Sequence, residues 1–168
     1  MADVEIRYAG RDELYDVAVF LHECWQAEYQ ELITKDFLDS MTVEDRHKGI
    51  LNRFDLKESD FLIMFDGDKL IGASAFGKSF TEGYESDGEV SAIYLRHDYI
   101  GKGYGHILFV KIEEALIAKG HEYLVLDLLS GNERALKFYI DHNYEKVADT
   151  QFRFGEIDYP LIVLRKRV

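Results

Sequence analysis

The chain has 168 residues, 47% of them hydrophobic, with 20 Lys plus Arg against 32 Asp plus Glu. That length fits one domain on a prior of roughly 100 to 200 residues each, so residues 1–168 are read as a single folded unit, and the hydrophobic share excludes a disordered or low-complexity chain. A formal charge of −12 excludes bulk electrostatic attraction to a phosphate backbone, and no nucleic-acid partner is expected.

A short strand over Val4 to Tyr8 opens the chain. Leu14, Val17, Ala18, Leu21, Trp25 and Tyr29 then recur at three- and four-residue steps, which predicts an amphipathic helix. Glu31 to Met41 lacks such a stripe and is expected to be irregular. Thr42 with Asp45 resembles a capping box, with Asp in place of Glu, opening a helix that runs towards Phe54. Phe61 to Phe65 and Leu70 to Phe76, joined through Asp66-Gly67-Asp68, form a predicted antiparallel hairpin. The polar stretch Ser79 to Gly88 reads as a loop. Glu89 to Leu95 is the next strand, with Val90, Ala92 and Tyr94 expected on one face.

Tyr104 to Lys119 carries Leu108, Ile112, Ala115 and Leu116 on one helical face, ends at Gly120 and is followed by the apolar run Tyr123 to Leu129. Strand, helix, strand at this length is a right-handed crossover between parallel neighbours. The fold class is therefore α/β or α+β, with a mixed sheet that is antiparallel in its first half and holds a parallel pair at its middle. Val110 and Ile117 stand off the main stripe, on a face that another helix or a second copy of the chain could cover, so a monomer and a homodimer both fit. A helix over Asn132 to His142 and strands over Lys146 to Phe154 and Tyr159 to Arg165 close the chain.

Gly101-Lys102-Gly103-Tyr104-Gly105 lies where a strand gives way to a helix. Unpaired N–H groups and the positive end of the helix dipole favour an anion there, and glycines let a phosphate approach the backbone closely. The P-loop pattern Gly-x-x-x-x-Gly-Lys-Ser/Thr needs Ser or Thr directly after the Lys, and Lys102 is followed by Gly103, so this is no nucleotide-hydrolysing P-loop; Gly105 also comes one residue too early for the dinucleotide fingerprint. No His-Glu-x-x-His or His-x-His spacing occurs among the six His residues, so no metal is expected. A lone Cys24, an N-terminus with acids rather than a basic stretch, and the lack of an apolar segment near 18 residues point to a cytoplasmic protein without a membrane anchor.

Ile100-Gly101-Lys102-Gly103-Tyr104-Gly105 resembles the acyl-coenzyme-A signature of the GNAT superfamily of N-acetyltransferases, Gln/Arg-x-x-Gly-x-Gly/Ala. Ile100 replaces the polar first residue, which leaves the backbone cradle, with Lys102 as a substitute charge. Glu89 to Leu95 is similar to the family's fourth strand, and the resemblance implies that Ile93 and Leu95 contact acetyl-CoA as co-substrate. Asn132 to Tyr139, with Asn143-Tyr144 following, is similar to the family pattern Asn-x-x-Ala-x-x-x-Tyr-x-x-x-Gly-Phe. Asn at the Gly position is compatible with a left-handed helix end.

The resemblance implies direct acetyl transfer to a primary amine, with Tyr139 as proton donor to the departing thiolate, Glu89 as general base and a backbone N–H such as that of Leu95 facing the oxyanion. Each has a structural alternative: Tyr139 as a packed core tyrosine, Asn132 as a helix N-cap as well as a coenzyme A contact, Glu89 as a solvated strand end. Cys24 reads as a small buried hydrophobe, and Trp25 and Tyr29 as core or as a lid over the acceptor pocket. Glu82, Glu85, Asp87 and Glu89 make one approach acidic, which points to a small cationic amine, a polyamine or a peptide amine. Two rival readings are a non-catalytic acyl-CoA sensor, against which Tyr139 argues, and a dinucleotide oxidoreductase in which Asp127 holds a ribose, against which the glycine spacing argues.

Overall fold

The computed structural model describes residues 3–168; Met1 and Ala2, which begin the acid-bearing N-terminal segment, lie outside the described residues. The strands β1 (Val4–Tyr8), β2 (Ser59–Asp66), β3 (Lys69–Lys78), β4 (Gly88–Leu95), β5 (Tyr123–Leu129), β6 (Glu145–Phe154) and β7 (Ile157–Arg167) form one sheet in the order β1-β2-β3-β4-β5-β7-β6. All neighbours are antiparallel except β4 and β5, the pair joined by the crossover helix. The mixed sheet with a central parallel pair is the architecture expected from the sequence.

Helices α1 (Leu14–Glu28), α3 (Val43–Asp55), α4 (Tyr104–Ala118) and α5 (Glu133–Asp141) occupy their predicted places, and Thr42 caps α3 by accepting from the Asp45 N–H at 3.1 Å. The stretch expected to be irregular holds a short helix, α2 (Lys35–Ser40), capped by Thr34. Its one apolar pair, Phe37 and Leu38, is too little to make a periodic stripe. The helix exists because Phe37 packs against Trp25, Phe154 and Tyr159, so tertiary burial rather than local pattern decides it.

Two cores lie on opposite faces of the sheet. Leu108, Phe109, Ile112 and Leu116 of α4 bury against Leu62, Met64, Ile71, Leu124 and Leu126, with α5 beside them. On the other face Leu14, Val17, Phe20 and Leu21 of α1 pack on Phe61, Ile63 and Ala73. Fully burying each such side chain contributes about 1.5–3 kcal/mol. Ile117 of α4 stays 48% exposed and Val110 is half-buried, so the described residues cover that face only in part.

β4 departs from the regular alternation. Ala75 pairs with Ala92 and Phe76 with Val90, leaving Ser91 as a bulge. The extra residue flips the face of everything after it. Val90, Ile93 and Leu95 face the α4 core, whereas Ala92 and Tyr94 face α1; the expectation that Val90, Ala92 and Tyr94 share a face fails for this reason. Leu95 can lie flat on β3 because its partner is Gly72, where a Cβ would stand 2.8 Å from the Leu95 side chain.

The start of β4 is pinned by Asp87, which is 3% exposed and takes two hydrogen bonds from the Arg165 guanidinium of β7, at 2.6 and 2.9 Å. Removing one partner of a buried, bidentate pair strands the other. Asp87→Ala should therefore lower unfolding free energy by about 2–3 kcal/mol, read from urea denaturation; a loss below about 0.5 kcal/mol, the range of ordinary surface changes, would show that the pair does not hold this corner.

Candidate active site

β4 and β5 pair only at Gly88 with Leu124 and Glu89 with Val125. Beyond that point the strands diverge, and the edge of β4 from Val90 to Leu95 has no strand partner on the β5 side. A groove of about 420 Å³ occupies the opening, lined by Ile93, Tyr94 and Leu95 of β4, by Ile100, Gly101, Gly103 and Gly105 of the turn, and by Ala135, Phe138 and Tyr139 of α5. The two segments singled out in the sequence thus meet on one cavity, some 30 residues apart along the chain.

Gly101 and Gly103 have φ of 77° and 90°, a left-handed conformation in which any side chain is strained. Gly103 caps α4. Its position leaves the N–H groups of Tyr104, Gly105 and His106 ahead of the first helical acceptor, since the Ile107 N–H is the one that bonds to the Gly103 carbonyl. The Tyr104 ring turns away into the core, 6% exposed, and packs on Tyr99, so its backbone alone faces the turn. Lys102 does not line the groove; its Nζ lies 5.9 Å from the Tyr99 ring centre.

Tyr139 packs on Phe109, Phe138 and Tyr144, and its hydroxyl makes no hydrogen bond to any described residue. Burial first, then the neighbouring Tyr29 and the charges of Glu28 and Asp127, raise its pKa above the usual phenol value. The phenol therefore stays protonated and its proton is free to be given. Core packing and a position at the groove are both true of this residue.

Asn132 caps α5 by accepting from the Ala135 N–H at 3.3 Å, and its Nδ2 donates to Glu28 at 3.5 Å. Glu28 in turn accepts from Arg134 at 2.8 Å, tying α1 to α5. Tyr29 is buried and its hydroxyl lies 3.2 Å from that of Tyr94; with Trp25 it belongs to the aromatic cluster joining α1, α2 and the β6–β7 hairpin. Cys24 is a thiol whose pKa burial pushes up to about 11, consistent with a small hydrophobe.

Glu89 is half-buried and its carboxylate is engaged. Its Oε2 accepts from the Ser79 hydroxyl, the Phe80 and Thr81 N–H groups and the Thr81 hydroxyl, at 2.8–3.1 Å. It anchors the loop before β4, and it does not line the groove. With Asp87 paired to Arg165, two of the four acids expected to form an acidic approach are committed to structure, and Glu82 and Glu85 alone are exposed.

The residue that sequence reasoning assigned to another chemistry is Asp127. It lies two residues along β5 from the Glu89–Val125 pair, where the strands have parted, and its carboxylate accepts no hydrogen bond from any described residue. Its side chain is exposed at the strand surface, and partial desolvation by the groups around it, then the charge of Glu89, raise its pKa. Its charge is felt by both Tyr29 and Tyr139. An acid on an otherwise apolar strand, Leu124 to Leu129, was the available signal.

Among the described residues no helix is long and apolar enough to cross a membrane, and no group of three or more His, Cys, Asp or Glu is placed to hold a metal ion. The model of the acetyltransferase (GNAT) family matches residues 16–144. An uncharacterised N-acetyltransferase, YuaI of Bacillus subtilis (strain 168), is 28% identical over 156 residues, 92% of this chain and 87% of that protein. The PaiA N-acetyltransferase from Thermoplasma acidophilum, solved with coenzyme A, superposes with a TM-score of 0.78 at 20% identity, covering 99% of both chains. The ribosomal-protein-alanine N-acetyltransferase from Brucella melitensis gives 0.75 at 18% identity, over 98% of this chain and 99% of that one. The family match spans most of the chain, including the glycine turn, the diverging strands and Tyr139, and the chain belongs to the GNAT family of acetyltransferases.

Proposed function

We propose that the protein transfers an acetyl group from acetyl-CoA directly to the amine of a cationic acceptor, a small amine, a polyamine or a peptide amine. The observation that carries this reading is the open wedge between β4 and β5, with unpaired strand backbone on one side, Tyr139 on the other and a glycine turn at its end. The fit to the co-substrate rests on the three unpartnered N–H groups at the start of α4 and on glycines whose conformation keeps side chains out of the way. In this reading Gly101 to Gly105 hold the pyrophosphate through backbone, Lys102 adds long-range positive charge, Ile93 and Leu95 border the pantetheine arm, and Asn132 stands near the thioester end. PaiA from Thermoplasma acidophilum carries coenzyme A, and yncA from Salmonella typhimurium, with a TM-score of 0.72, carries acetyl-CoA, which supports the choice.

An ammonium must lose a proton before its nitrogen can attack. Asp127 takes that role better than Glu89, because its carboxylate is unpaired and its raised pKa gives it more affinity for a proton at neutral pH. Glu89 acts through Asp127, its charge contributing to that raised value. The nitrogen then bonds to the acetyl carbon, an unpaired β4 N–H, with Leu95 the first choice, faces the negative charge developing on the carbonyl oxygen, and the C–S bond breaks as Tyr139 passes its proton to sulfur. The acceptor is cationic because Asp127, with Glu82 and Glu85 outside, leaves the approach acidic after the paired acids are set aside.

The direct test of activity is thiol release from acetyl-CoA with polyamines, arylamines, peptides and neutral amino acids as acceptors. Release should depend on the amine and be fastest with cations at low salt; release independent of any amine would contradict the reading. Gly103→Val should weaken acetyl-CoA binding more than tenfold, about 1.4 kcal/mol, by calorimetry, and unchanged affinity in a folded variant would remove the site. Tyr139→Phe keeps the ring and loses the proton, so kcat should drop about 10²-fold with little change in stability; full turnover would leave Tyr139 a packing residue. In wild type kcat/KM should fall as pH drops through the raised Asp127 pKa, because protonation removes the base. Asp127→Asn should lower kcat/KM about 10²-fold and flatten that acidic limb, whereas a limb that survives unchanged would assign it to another group.

A further inference from the structure

One pair of side chains on the groove is used by none of these steps. His106, in the first turn of α4, and His142, at the end of α5, both line the cavity that holds Gly101, Gly103 and Gly105. Their rings stand 5.1 Å apart, with His106 Nδ1 2.9 Å from His142 Nε2, and His142 Nδ1 lies 2.7 Å from the Phe138 carbonyl. Phe109 and Phe138 fix the His142 ring at 4.9 and 4.3 Å.

The partners dictate the tautomers. A carbonyl can only accept, so His142 Nδ1 carries a hydrogen. In a neutral His142 the Nε2 is then a lone pair, and His106 must donate to it from Nδ1. What remains is His106 Nε2, which has no partner among the described residues. While neutral it is an acceptor and turns a lone pair towards any anion. Protonated, it becomes a charged donor, and neither existing hydrogen bond has to change. The pair is thus built to accept one proton at one atom, beside backbone N–H groups that already favour an anion. The terminal carbonyls of α5, where His142 is anchored, favour the cation as well.

We propose that the His106–His142 pair is a proton-coupled grip on a phosphate of the co-substrate, and that binding draws a proton from solvent onto His106 Nε2. The inference rests on the proposed acetyl-CoA site and adds to it the group that makes affinity depend on pH. Other charges around the groove are accounted for. Asp141 is bridged by Lys137 at 2.6 Å and Glu28 by Arg134 at 2.8 Å, while Lys102 stays over Tyr99. The phosphate belongs either to the pyrophosphate or to the ribose 3′-phosphate, and both share the chemistry that a charged imidazole donor meets.

The test is calorimetry with coenzyme A in buffers of different ionisation enthalpy, which counts protons taken up on binding, between pH 6 and 8. Wild type should take up a fraction of a proton near neutral pH, about 0.4 at most for a fivefold effect on affinity. His106→Gln keeps a polar side chain without the charge, so it should abolish the uptake and weaken binding about fivefold at pH 6, with the difference shrinking towards pH 8. His142→Gln, which loses the acceptor that orients His106, should reduce the uptake. Repeating the titration with dephospho-coenzyme A identifies the source: uptake lost with it points to the 3′-phosphate, and uptake retained points to the pyrophosphate. Binding of coenzyme A to wild type without proton uptake, or uptake that persists in His106→Gln, would overturn the proposal and leave the site itself standing. Absence of binding altogether would remove the site and this inference together.

Discussion

The parting of β4 from β5 is the constraint on which the rest of the site depends. Backbone N–H and C=O groups at the middle of a sheet are ordinarily satisfied by the next strand. Here the parallel pairing stops after Gly88 and Glu89, so the outer edge of β4 keeps a set of polar groups without a strand partner, only the Leu95 carbonyl meeting Cys24 Sγ at 3.7 Å among the described residues, and a groove opens beside them. Such an edge suits a ligand that carries amide groups of its own and an apolar arm, because the ligand can complete the ladder that β5 abandons.

Holding the strands apart requires support on each side, and the residues that give it explain several features that look functional in isolation. Asp87 with Arg165, and Glu89 with the Ser79 to Thr81 loop, fasten the point where the strands part. The Ser91 bulge turns Tyr94 towards Tyr29 and α1 while returning Ile93 and Leu95 to the α4 side. One strand thereby serves two compartments: Ile93 and Leu95 form an apolar wall of the groove, and Tyr94 meets Tyr29 on the α1 side. Glu89 fastens the loop before β4 through its Ser79, Phe80 and Thr81 contacts, and its charge reaches Asp127.

The hairpin, the crossover with its parallel pair and the glycine turn were legible because each rests on local pattern: alternation or apolar runs for β2 to β5, a helical stripe for α4, and three glycines at a strand-to-helix junction. The Tyr139 helix was legible for the same reason. Other features were not, because their causes are tertiary. The bulge depends on how β4 meets β3, and Ser91 carries no mark of it. Helix α2 depends on Phe37 finding an aromatic cluster built from α1 and the β6–β7 hairpin. The acids from Glu82 to Glu89 look equivalent in sequence, yet Arg165, 78 positions from Asp87, decides which of them faces solvent. The His106–His142 contact joins residues 36 positions apart and follows no motif spacing.

Amide hydrogen exchange, measured residue by residue with and without coenzyme A, reaches the central claim most directly, because it reports on the backbone groups themselves. The account predicts new protection at Ile93 and Leu95 and at Tyr104 to His106, with the β1–β2 edge of the sheet unchanged. Coenzyme A binding that leaves those amides exchanging at their free rates, or that protects a different edge, would contradict a site built on the unpaired side of β4.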